Sequence, residues 1–159
     1  MKREILFRGK RTDDKWWVEG FYYEHEPPLV GIAPPDYVKP DNTAFIASTG
    51  FADWGMTRPI QLCKVIPETV GQFTGLTDKN GKKIFEGDIV RGRHWTSRNN
   101  KNPEDFHLWR VDWNEKSGLI IFKDSPTSDA TLSIHDFADF EEVEVIGNIY
   151  DNRELLERR

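Results

Sequence analysis

Asp78-Lys79-Asn80-Gly81, within Gly75-Leu76-Thr77-Asp78-Lys79-Asn80-Gly81-Lys82-Lys83, decides the fold class. Asn-Gly is the strongest short hairpin dipeptide, because a type I′ turn needs positive φ at both central residues. The turn should therefore join antiparallel neighbours. The same stretch fails as a phosphate loop. Such a loop has four residues between its glycines and Ser or Thr after Gly-Lys. Here five residues separate Gly75 from Gly81, and Lys83 follows Lys82.

On either side of this turn, β-branched and aromatic residues gather in short runs broken by turn residues, the usual sign of strands. The expected strands are Ile5–Arg8, Trp16–Tyr23, Ala44–Ser48, Thr69–Phe73, Ile89–Trp95, Phe106–Trp113, Gly118–Phe122, Thr131–Ile134 and Val143–Tyr150. No window shows a sustained apolar stripe at helical spacing. Two short helices are expected, at His135–Glu142 and at Asn152–Arg158, the second with Asp151 or Asn152 as N-cap. Glu26–Pro40 holds five prolines and reads as a long covering loop, while Thr96–Asp105 reads as a polar excursion. The fold class is mainly β.

Composition agrees. Leu, Ile, Val and Phe supply 40 of the 159 residues, enough for a core. The longest aliphatic or aromatic run is Leu119-Ile120-Ile121-Phe122, far short of a spanning helix, and no apolar stretch follows the charged Met1-Lys2-Arg3-Glu4. No membrane partner is expected. The single cysteine, Cys63, is read as a small buried thiol; it has no internal disulfide partner and fits a reducing cytoplasm.

Catalytic spacing is missing. Gly-x-Ser-x-Gly, His-Glu-x-x-His and paired Cys-x-x-Cys do not occur, so neither a metal nor a cofactor is expected, and no residue is assigned a catalytic role. A metal-dependent hydrolase would have to bring Asp105, His107, His135 and Asp136 together, and stands as the third reading.

Charge is unevenly spread. The formal net charge is -5, yet Lys79 to Lys101 carries seven bases and two acids, and Asp136 to Glu157 eight acids and one base. In Ile89-Val90-Arg91-Gly92-Arg93-His94-Trp95, alternation puts Arg91, Arg93 and Trp95 on one face, with Arg98 and Lys101 following. Cations beside an aromatic ring neutralise phosphate and stack a base, which makes these five residues the candidate nucleic-acid site. Ion pairs from Arg91 and Arg93 to Glu141, Glu142 or Glu144 would instead assign those charges to the fold. The block Trp16-Trp17-Val18-Glu19-Gly20-Phe21-Tyr22-Tyr23 puts Trp17, Phe21 and Tyr23 on one face and Trp16, Val18 and Tyr22 on the other. Burial on both faces is the expectation, with a subunit interface as the second reading.

Three blocks carry a family resemblance. Arg3-Glu4-Ile5-Leu6-Phe7-Arg8-Gly9-Lys10-Arg11 comes first. The long block Glu68–Val90 follows, through Gly75-Leu76-Thr77-Asp78 and Phe85-Glu86-Gly87-Asp88. Val145-Ile146-Gly147-Asn148-Ile149-Tyr150-Asp151-Asn152 precedes Glu154-Leu155-Leu156. Together they resemble the YopX family of bacteriophage and prophage proteins, although Arg153 stands where members often carry proline. The resemblance implies a phage-encoded protein of the host-cell cytoplasm, with no established activity or cofactor and no catalytic residues to carry over. Gly87-Asp88 before a strand looks like the approach into a small SH3-like barrel, which five later strands would close. The expected organisation is an N-terminal β-rich part, 1–67, followed by an SH3-like barrel, 68–159, the two standing apart or intertwined as one unit. The first functional reading is a non-enzymatic interaction module contacting a host or phage protein or a second copy, and the alternative is nucleic-acid binding.

Overall fold

The computed structural model describes residues 4–26, 43–50, 54–94, 106–114, 119–123, 131–133 and 140–157. The chain divides into two compact units, Glu4–Gln72 and Phe73–Arg159. All strand pairs are antiparallel, so the mainly β expectation holds.

The N-terminal unit contains β1 (Phe7–Lys10), β2 (Trp17–His25), β3 (Thr43–Thr49), β4 (Ile60–Lys64) and the first residues of β5 (Gly71–Thr77). Its organising strand is β2, which changes partner midway. Trp17 to Gly20 pair with β1, and Phe21 to His25 pair with β3. The handover falls at Gly20, where a Cβ would lie 2.1 Å from the Ala47 carbonyl oxygen. Only glycine fits there.

The sheet then curls back on itself. Arg11 forms an isolated bridge with Val65, the Thr12 N–H donates to Lys64 O at 3.1 Å, and the Ile66 N–H donates to Lys10 O at 2.8 Å. A 3-10 turn at Pro67–Thr69 fixes this return, since the Thr69 hydroxyl accepts the Lys10 N–H and donates to Ile66 O. The concave side encloses Ala44, Ile46 and Val65, packed by Phe7, Val18, Tyr22 and Val70. β4 was not among the expected strands, although Leu62-Cys63-Lys64 reads as strand-like.

In the C-terminal unit, β5 pairs with β6 (Lys83–Phe85) across the Asn80-Gly81 turn, as expected. The turn type differs. Gly81 has φ 79°, but Asn80 is not among the positive-φ residues, so this is not type I′. The cause is Asp78, whose Oδ1 accepts the N–H groups of Asn80 and Lys82 and holds a three-residue turn ending in a left-handed glycine.

A five-stranded sheet follows, built from β7 (Asp88–His94), β8 (Phe106–Asn114), β9 (Leu119–Lys123), β10 (Thr131–Ser133) and β11 (Phe140–Asn148), in the order β10-β9-β8-β7-β11. Ile84, Val90, Trp109, Val111, Val143 and Val145 form its core. Here the SH3-like barrel expectation is corrected: the sheet is open. Among the described residues the three-residue β10 pairs with β9 alone and forms no ladder with β11.

The helix expected at His135–Glu142 is also corrected where it can be read, because Phe140 to Glu142 belong to β11; residues 135–139 lie outside the described residues. Pairing with β7 decides this segment, at the cost of a bulge that puts Glu142 at φ 57°. The final helix, α1, is one turn, Glu154–Glu157. Ahead of it, Asn148 Oδ1 accepts the N–H groups of Tyr150 and Asp151 at 2.9 Å each. A Cβ at Gly147 would lie 2.6 Å from the Asn152 side-chain oxygen, so the glycine and asparagines of this block are turn-forming residues.

Candidate interaction surface

Strand alternation sorts the N-terminal sheet into two faces. Val18, Gly20 and Tyr22 of β2 look towards the core, with Ala44 and Ile46 of β3 and Cys63 of β4. The other face carries Phe21 and Tyr23, then Phe45 and Ala47, then Ile60 and Leu62. Register puts Phe21 beside Ala47 and Ala47 beside Leu62; Tyr23 stands beside Phe45, with ring centroids 6.5 Å apart. Phe21 is 67% exposed, Tyr23 52%, Ile60 79% and Leu62 58%. Folded chains seldom leave large apolar side chains so exposed in one patch without a use for them.

This corrects the expectation that the aromatic strand is buried on both faces. Only the Val18 and Tyr22 side packs into the core; Phe21 and Tyr23 face outward. Trp17, on their face, is covered instead by the Arg8 guanidinium, 4.5 Å above its ring, and by the Lys10 ammonium at 6.0 Å. Ile60 and Leu62 lie outside the strands expected from the sequence. The signal existed in the apolar-polar-apolar alternation of Ile60-Gln61-Leu62, masked by its position just after Pro59.

The basic residues singled out in the sequence present a different picture. Arg91 lies on β7 with its Nη2 3.0 Å from Glu144 Oε2, and Lys79 Nζ lies 2.9 Å from the same oxygen. The Arg91 guanidinium also stands 4.9 Å from the centre of the Phe106 ring. Hydrogen bonds from Lys79 and then Arg91 hold the Glu144 carboxyl below its ordinary range. Arg93 is opposite Glu141 in the β7–β11 ladder. The Arg93 side chain, Trp95, Arg98 and Lys101 lie outside the described residues.

Of the four residues required by the hydrolase reading, His107 is exposed on β8 and stacks on Trp109 at 5.6 Å. Asp105, His135 and Asp136 lie outside the described residues. Among the described residues no three His, Cys, Asp or Glu side chains converge as metal ligands. No helix among them is long and apolar enough to cross a membrane. Cys63 is buried on β4.

Comparison with known proteins agrees with this architecture. The fold is similar to the crystal structure of protein EF1440 from Enterococcus faecalis, with a TM-score of 0.52 and 21% sequence identity over 98% of this chain and 99% of that one. That likeness concerns the fold alone. No curated protein matches the chain. The YopX protein family model matches residues 35–157, which take in two of the three blocks quoted above and leave Arg3–Arg11 outside. The chain belongs to the YopX family.

Proposed function

We propose that the chain is a non-enzymatic protein-interaction module that docks through the outer face of β2, β3 and β4. One observation carries this reading: Phe21, Tyr23, Ile60 and Leu62 share one side of one sheet, and each is more than half exposed. Burying such a side chain contributes about 1.5–3 kcal/mol, so a partner covering this face gains a usable driving force. Family membership supports an accessory role in a phage or prophage within the host cytoplasm, where a thiol such as Cys63 stays reduced.

Affinity purification from host cells, with and without nuclease, tests the reading. Protein that survives nuclease and is lost with the double substitution Phe21→Ser, Leu62→Ser supports it. Capture indifferent to that double substitution overturns it. Capture abolished by nuclease returns the function to nucleic acid and the Arg91 to Lys101 segment.

A further inference from the structure

The outer face ends in a fork. The β2–β3 ladder stops at Phe21 and Ala47, because the earlier residues of β2 pair with β1, while β3 runs on to Thr49 against β4 alone. The Val65 N–H donates to Ala44 O at 3.0 Å and the Gly50 N–H donates to Pro59 O at 2.8 Å, so even-numbered residues of β3 bond towards β4. Alternation turns the N–H and C=O of Thr49 the other way, into the fork. Leu6, Phe21, Ala47 and Ile60 wall the resulting groove of about 410 Å3. Glu19 also lines it, exposed and with no ion-pair partner among the described residues. Arg8 is directly across from Glu19 in the β1–β2 ladder, but its guanidinium is held over Trp17.

An apolar trough with a strand-type donor and acceptor at one end and an unmatched carboxylate on its wall has a definite chemistry. An extended segment offers backbone groups to Thr49 and alternate apolar side chains to the walls. Charge complementarity then selects a cation for Glu19. We infer that the groove binds an extended apolar peptide segment of a partner protein, with a Lys or Arg side chain set against Glu19. This rests on the interaction reading above and names the kind of partner it takes.

Two capped heptapeptides test it, each alternating valine and threonine, one with lysine at its centre and the other with glutamate. They are titrated into the full chain and followed by backbone amide shifts. The lysine peptide should move the amides of Gly20, Ala47 and Thr49 and bind about fivefold more tightly than the glutamate peptide, the scale of one exposed ion pair. Glu19→Lys should reverse that order. Equal affinities, an unreversed order, or shifts that miss the three amides overturn the inference. So do shifts of those amides on raising protein concentration without peptide, which assign the groove to a second copy. If neither peptide binds while nuclease-resistant capture still depends on Phe21 and Leu62, the groove inference fails and the interaction reading stands.

Discussion

The Asp78 carboxylate accepts the backbone N–H of Val145 at 3.1 Å, tying the β5–β6 turn to a strand 67 residues further along the chain. Its other oxygen already serves the N–H groups of Asn80 and Lys82 at 2.8 and 2.9 Å. One side chain, 6% exposed, therefore closes the turn and anchors β11. The Lys79 N–H repeats the connection by donating to Val143 O at 2.8 Å.

Asp78→Ala leaves three N–H groups without their acceptor, the buried one on Val145 among them, and should cost about 3 kcal/mol, the upper range for stranding a buried donor. Asp78→Asn keeps one acceptor oxygen for the turn but turns an amide towards Val145, so its loss should be smaller. Urea unfolding should show both midpoints lowered in that order, with an unchanged slope.

The same carboxylate gives a pH signature. Burial pushes the Asp78 pKa up, but the N–H groups of Lys82, Val145 and Asn80 together outweigh it and hold the pKa below the ordinary value. A depressed folded-state pKa means the stabilisation is complete above the unfolded value, near 3.9, and is lost as pH falls through the folded one. The advantage of the wild type over Asp78→Asn should be constant from about pH 7 to 5 and shrink below about pH 4. Chemical denaturation across that range measures it; a constant difference down to pH 2 would contradict the hydrogen-bonding account.

Local rules carried the sequence reading as far as local physics decides the outcome. β7 and β8 fall within a residue of the expected strands Ile89–Trp95 and Phe106–Trp113, and Asn80-Gly81 lies in the turn of a real antiparallel hairpin. Two misses are local, the turn type set by Asp78 within the turn and β4 starting just after Pro59, and the rest are long-range. The Arg11–Val65 bridge curls the N-terminal sheet through residues 54 positions apart, and no window of sequence contains both. Phe140-Glu141-Glu142 has no alternation of its own and becomes strand because β7 offers an edge. Trp17 and Phe21 share a face, yet one is covered by Arg8 and the other is not, a difference set by β1 rather than by β2. Arg91 is legible as a basic residue on a strand face; its ion pair with Glu144 depends on a register with β11 that bulges alter.

The two faces of the N-terminal sheet should differ sharply in their tolerance of substitution. Phe21→Ser and Leu62→Ser alter exposed side chains, so each should shift stability by about 0.5 kcal/mol or less. Ile46→Ala, on the opposite face and fully buried, removes three carbons from the core and should cost about 2–5 kcal/mol. Urea midpoints of the three variants read the contrast directly. A large loss at Phe21 would mean that face is packed, and would remove the basis for docking there.

Two glycines separate close approach from backbone conformation. At Gly20 the obstacle is steric: a methyl group would sit 2.1 Å from the Ala47 oxygen and 2.9 Å from an Ile46 methyl. The oxygen belongs to backbone held by the β3–β4 ladder, so relief requires β2 and β3 to part where β2 changes partner. Gly20→Ala should therefore cost about 3 kcal/mol, the upper range for overpacking. At Gly75 the space is open, with nothing within 4 Å, but φ is +88°. Gly75→Ala meets only the penalty of a left-handed conformation, about 1–2 kcal/mol. The variants should also differ in where they loosen. Hydrogen exchange in Gly20→Ala should accelerate at Phe21, Tyr22 and Ala47, while Gly75→Ala should leave those amides protected and affect only the β5–β6 hairpin. Equal costs, or exchange spread evenly through both units, would show that β2 does not pivot at Gly20.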